Sequence, residues 1–163
     1  MSSKKIVVTL LALMVFLVSS VALGAESKFK LVDAIEVARV EVPVDASLLG
    51  YQQDNDEMKV VFQDPATFEQ YFVKVDIAKS KVKEVNIKGA VFVLGSTVVN
   101  KTLEDIRAAL LSVYPTAKDI VITTKSDMNN IYYEAEFVTE KFKGEAKFNP
   151  ATGAVIEREL YYY

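Results

Sequence analysis

The chain has no cysteine and no histidine among its 163 residues. Without cysteine there are no disulfide staples, so the fold must be held by its core and its hydrogen bonds. Without both residue types, Ser-His-Asp and Cys-His nucleophilic sites, His-ligated zinc and the usual general base near neutral pH are all excluded. An enzyme made from this chain would have to work with carboxylates, tyrosine, lysine or serine. Basic runs are also missing: from Glu26 to Tyr163 no two Lys or Arg residues are adjacent. Two of the 19 basic residues, Lys4 and Lys5, lie in the first 24 positions, leaving 17 against 22 acidic side chains. A phosphate-backbone binder needs clustered positive charge, so no nucleic-acid partner is expected.

What is present is apolar. At 51% hydrophobic residues the chain is too apolar to stay disordered and long enough for one ordinary domain or two very small ones. Part of that content is the run Ile6 to Val18, preceded by Lys4 and Lys5 and followed by Ser19, Ser20 and Ala22-Leu23-Gly24. A basic start, a short apolar run and small residues at the end read as a secretory signal peptide, residues 1–24, cleaved after Gly24. The run of 13 residues is shorter than the roughly 20 a spanning helix needs. The expectation is an extracytoplasmic protein, periplasmic or secreted, with no membrane span once the leader is removed.

The remainder contains an internal repeat. "LVDAIEVARVEVP" (31–43) and "LEDIRAALLSVYP" (103–115) align at a shift of 72, and "VDIAKSKVKE" (75–84) aligns with "FNPATGAVIE" (148–157) at 73. Thr102 caps a helix with Asp105 at N3, Leu103, Ile106, Leu110 and Val113 follow at helical spacing, and Pro115 ends it. A first helix runs from about 30 to 39 with Leu31, Ile35 and Ala38 inward. After each helix the pattern alternates with period two, which predicts strands over 47–52, 57–63, 69–76 and 81–87, then 118–125, 130–138, 142–149 and 153–161. With 138–141 as a tight loop, Phe137 faces Phe142, Ala135 faces Gly144, Tyr133 faces Ala146 and Ile131 faces Phe148, with Glu136 outside against Lys143. The first-half equivalents are Phe62 with Tyr71, Val60 with Val73 and Met58 with Val75. The fold class is therefore α+β: two repeats, 25–88 and 102–163, each one helix on an antiparallel meander, forming one continuous or closely joined sheet. The apolar connector 89–101 reads as a strand or a buried crossover.

The second half resembles the PepSY domain family in its helix "TLEDIRAALLSVYP", its strand "YYEAEF" and its ending "FNPATGAVIE". Asn149 stands where that family usually has Asp, and Lys79-Ser80 replaces Thr-Gly in the first half. The resemblance implies an extracytoplasmic domain without catalytic activity or cofactor, of a kind found in peptidase propeptides and in exported proteins that modulate peptidases. Tandem copies are also similar in architecture to β-lactamase inhibitor proteins.

Candidate sites have competing readings. "DNDE" (54–57) suggests calcium, but Lys59 and Pro65 stand where an EF-hand needs Gly and Glu, so a polar hairpin turn is expected. Glu134 and Glu136 could form an acid/base pair, yet they share an outer strand face beside lysines, where carboxylates are solvated. Tyrosine suits protein interfaces, and the partner surface expected is Tyr132, Glu134, Glu136, Tyr161, Tyr162 and Tyr163; alternatively Tyr161 or Tyr163 covers a helix. The leading function is an exported non-catalytic protein or peptide binder, acting on a peptidase or another protein through the open sheet face or its edge strand. The alternatives are a small-ligand or envelope-stress sensing module and, last, a carboxylate hydrolase. "NPATG" (149–153) is expected to be a corner, with Gly153 at positive φ.

Overall fold

The computed structural model describes residues 31–90 and 95–163; the leader, Lys30 and connector residues 91–94 lie outside the described residues. Helix α1 (Leu31–Arg39) buries Ala34 and Ala38, with Leu31 and Ile35 half-buried beside them. Helix α2 (Leu103–Val113) begins with a capping box. The Asp105 amide donates to Thr102 Oγ1 at 3.1 Å and the Thr102 amide to Asp105 Oδ2 at 2.8 Å, so two amides that the helix leaves unpaired are satisfied reciprocally. Its buried stripe is narrower than the spacing predicts. Ile106 and Leu110 are buried, while Leu103 and Val113, one at each end, are exposed.

Eight strands follow the helices in the order α1, β1 to β4, α2, β5 to β8: Ser47–Asp54, Glu57–Gln63, Gln70–Asp76 and Lys81–Lys88, then Lys118–Asp127, Asn130–Val138, Phe142–Phe148 and Val155–Tyr162. They make one antiparallel sheet in the order β1-β2-β3-β4-β8-β7-β6-β5. The last strand lies in the middle, where β4 and β8 pair with Val85 opposite Leu160. Strands β2 and β3 alternate strictly between buried and half-buried residues, because one face is core and the other is not. Both helices contribute to the same core cluster, with Val60, Phe62, Val73, Val85, Phe137, Phe148 and Leu160 beneath them, so both lie on one face. Among the described residues no helix covers the other face. Asp54–Glu57 is the expected hairpin turn, with Asn55 at φ 50. Met128 and Asn129, at φ 45 and 73, make the equivalent turn between β5 and β6, with the two positive φ values that suit the strand twist.

The first-half register is as predicted, with Phe62 opposite Tyr71, Val60 opposite Val73 and Met58 opposite Val75. The second is displaced by two residues: Phe137 faces Gly144, Ala135 faces Ala146 and Tyr133 faces Phe148. A two-residue slip keeps every side chain on its face, so alternation alone cannot detect it. Glu136 lies opposite Glu145, and reaches Lys143 only diagonally, at 3.5 Å.

Of the connector's described part, only Gly95 is buried, Ser96 makes an isolated bridge to Ile131, and Val98 and Val99 are exposed. The apolar stretch 91–94, on which the expected strand or crossover falls, lies outside the described residues, and the described part is tied through its backbone to the Asn149–Gly153 corner. The Asn100 and Lys101 amides both donate to the Pro150 carbonyl, at 3.0 and 2.9 Å, and Tyr133 Oη donates to the Lys101 carbonyl at 2.9 Å. Gly153 has φ 78, as expected of the corner. Asn149 holds the corner from inside: its Oδ1 accepts from the Ala151 and Thr152 amides and its Nδ2 donates to the Gly95 carbonyl at 3.2 Å. The last bond requires an amide and is unavailable to the carboxylate of an Asp.

Candidate functional site

The face of the sheet opposite the helices carries three rows of side chains set by register. One row runs Glu136, Glu145, Glu159, Asn86, Phe72 and Val61 across β6, β7, β8, β4, β3 and β2. A second carries Glu134, Lys147, Glu157 and Lys88, and a third Lys143, Tyr161, Glu84, Lys74 and Lys59. Tyr132 extends the face at the β5 side, opposite Lys125. Four of the six expected surface residues, Tyr132, Glu134, Glu136 and Tyr161, therefore share this face.

Tyr162 does not. It follows Leu160 by two along β8 and so points to the helix side, where its ring packs 5.3 Å from Phe142 and its hydroxyl donates to Glu41 at 2.6 Å. Burial, with the Glu41 bond second, raises its pKa far above the ordinary phenol value. The tyrosine that packs on the helix side is thus Tyr162, rather than Tyr161 or Tyr163. Tyr163 is exposed at the end of the described chain.

The open face is electrostatically uneven. Lys125 binds Glu134 at 3.1 Å, Lys147 binds Glu157 at 3.0 Å and Lys74 binds Glu84 at 2.7 Å. Burial pushes the Glu157 carboxyl up, but hydrogen bonds from Lys147 and Asn86 outweigh it and hold the group below its ordinary value. Glu145 is different. Burial first, then Glu134 and other neighbouring carboxylates, raise its pKa, and the opposing charge of Lys147 only partly offsets them. The Tyr161 hydroxyl donates to Glu159 at 2.6 Å, and its pKa rises to about 12, chiefly through that bond. Glu134 and Glu136 are each in an ion pair on the open face, with Lys125 at 3.1 Å and with Lys143 at 3.5 Å.

Three features escaped the sequence reading. Lys59, Phe72, Lys74, Glu84, Asn86 and Lys88 line a shallow depression of about 180 Å³ on the open face. On the helix side Arg158 crosses the β4–β8 seam to Glu69 at 2.7 Å, and Glu69 also accepts from the Tyr71 hydroxyl at 2.9 Å. The strict alternation of "VIERELYY" places Arg158 on the same side as Leu160 and Tyr162, so the signal for that half-buried pair was present. Phe68, between β2 and β3, is exposed yet has φ 60, and nothing in its sequence announces that conformation.

The fold and this surface define an α+β protein with one eight-stranded antiparallel sheet, two helices on one face and a charged, tyrosine-bearing second face. No family model matches the chain, and no curated protein does. Among solved structures it is similar to the Bacillus megaterium YpeB C-terminal domain, at 14% identity and a TM-score of 0.43 over 79% of this chain and 62% of that one. It is also similar to a BLIP-like protein from Bacteroides fragilis, at 16% identity and a TM-score of 0.31 over 80% of this chain and 86% of that one. The chain spans less than two thirds of the YpeB domain's length, and likenesses this distant assign no function.

Proposed function

We propose that the chain is an exported, non-catalytic binding protein of PepSY-like type, with a leader at 1–24 and repeats at 25–88 and 102–163, whose open sheet face takes a protein or peptide partner. Exported peptidases are the first partner class to test. The observation that carries the reading is the sheet face that neither helix covers among the described residues, on which Tyr132, Glu134, Glu136 and Tyr161 all lie. Broad tyrosine contact area at low entropic cost, among charges that set register, suits protein recognition. The paired corners support the repeat: the Lys79 amide donates to Asp76 Oδ1 as the Thr152 amide does to Asn149 Oδ1, at 2.9 and 3.2 Å, and Ser80 and Gly153 both have positive φ.

The test is affinity capture from the exported proteome with the purified protein, its Tyr132→Ser/Tyr161→Ser variant and a Lys79→Ser control on the exposed first corner. Removing residues 161–163 is a poor control, because Tyr162 belongs to the packing of the helix side. The reading predicts a partner retained by the control and lost by the tyrosine variant at matched stability. Equal capture by both variants would reject the tyrosine face.

A further inference from the structure

Lys59 and Lys88 are diagonal neighbours of Phe72 on the open face, one from β2 and the other from β4. Both ammonium groups lie over its ring, at 4.9 and 5.6 Å from the centroid. Among the described residues neither forms an ion pair, whereas Lys74 beside them is neutralised by Glu84. The register explains why Lys88 forms no ion pair, although its charge still acts on Glu157. Its partner on β8 is Glu157, and that carboxylate is already held by Lys147 at 3.0 Å and by the Asn86 Nδ2 at 3.3 Å. The depression therefore contains three ammonium groups and one carboxylate around an aromatic floor. Its volume of about 180 Å³ is well below that of a typical small-molecule cavity, roughly 300 to 1,000 Å³, so it suits one functional group of a larger molecule.

We infer that this depression is an anion subsite that receives the carboxylate of an acidic side chain on a polypeptide partner, held between Lys59 and Lys88 above Phe72. The inference rests on the protein-binding reading and names the chemistry of its anchor. Two cations already positioned by one ring lose little freedom on binding, and the neighbouring acidic row repels the same group from the β7–β8 side, which fixes its location.

The test is a ¹⁵N NMR titration of the purified protein with acetyl-tetraglutamate-amide, acetyl-tetraglutamine-amide and inorganic phosphate. Tetraglutamate should give saturable shifts centred on Lys59, Phe72, Asn86 and Lys88, weakened about tenfold in Lys59→Gln/Lys88→Gln and retained in Lys59→Arg/Lys88→Arg; tetraglutamine should give none. Shifts centred on Lys125, Lys143 and Lys147, unchanged binding by the glutamine variant, or equal affinity for phosphate would overturn the site. In affinity capture the two ideas separate. A partner lost by the tyrosine variant but kept by Lys59→Gln/Lys88→Gln removes the anchor alone, whereas saturable tetraglutamate binding without any captured partner counts against the protein-binding reading alone.

Discussion

The ring of Phe137 lies over Gly144, its register partner, so closely that a Cβ at Gly144 would sit 2.3 Å from Phe137 Cζ. Gly144 is therefore the space that the phenylalanine fills, and this contact sets the β6–β7 register. Gly144→Ala must displace a ring that is 2% exposed. It should destabilise the protein by about 1–3 kcal/mol, measured as a lower urea midpoint. Phe137→Leu added to Gly144→Ala should cost less than the two single changes together. Strict additivity would mean that the pair does not set the register.

That contact also marks where sequence reasoning stops. Period-two alternation revealed the faces of β2, β3, β6 and β7, and the capping box revealed α2, because these are local patterns. Register modulo two residues is legible in this way, but register itself is not, since Phe137 could face Phe142 or Gly144 with the same sides buried. Pairing of β4 with β8 joins residues 69 to 77 positions apart in sequence, Glu84 to Tyr161 and Lys88 to Glu157 among them, and nothing local encodes it. The depression around Phe72 depends on β3 lying between β2 and β4, and the sharing of Phe72 by two lysines is a diagonal relation. Four of the six surface residues were placed by alternation, and Tyr162 was misplaced because three consecutive tyrosines hide the phase of their strand.

Asn149 tests the corner. Asn149→Asp keeps the two backbone bonds accepted by Oδ1 but sets a carboxylate oxygen against the Gly95 carbonyl in place of a donor 3.2 Å away. A polar contact turned from attraction to repulsion should cost about 1–3 kcal/mol. The loss should appear as a lower melting midpoint together with faster hydrogen exchange at the Ser96, Asn100 and Lys101 amides, which the docked segment protects. Unchanged exchange there would show that the segment is held without Asn149.

Glu145 gives the pH dependence. Its pKa is raised in the folded protein, mainly by burial and then by neighbouring carboxylates. The folded state therefore holds the Glu145 proton more tightly than the unfolded chain does. Glu145 contributes this stability fully below the unfolded carboxylate pKa, and the contribution is lost as pH rises through the higher folded value. Glu145→Gln should accordingly be more stable than the parent at neutral pH, by roughly 0.2–1 kcal/mol as for like charges facing across strands. The advantage should close in acid, below the ordinary carboxylate range. Urea midpoints of both proteins across that range decide it, and a gap that persists in acid would assign the effect to something other than charge.

Phe68 combines exposure with backbone strain. It is 61% exposed and has φ 60, a region that bulky residues rarely enter. The loop around Asp64 fixes it there: the Phe68 amide donates to the Asp64 carbonyl at 2.8 Å, while Asp64 Oδ1 and Oδ2 accept from the Ala66 amide and the Thr67 hydroxyl, each at 2.8 Å. Asn tolerates this conformation better, so Phe68→Asn should hold or raise stability, by up to about 1 kcal/mol. An aromatic kept exposed against its own backbone preference is also a candidate contact residue. The loop leads into Gln70, the register partner of Lys88, which places Phe68 at the end of the open face nearest the lysine-lined depression. Phe68→Asn should therefore weaken capture of a partner while leaving the urea midpoint unchanged or higher. A lowered midpoint would show instead that the ring contributes packing, and unaltered capture would remove Phe68 from the contact surface.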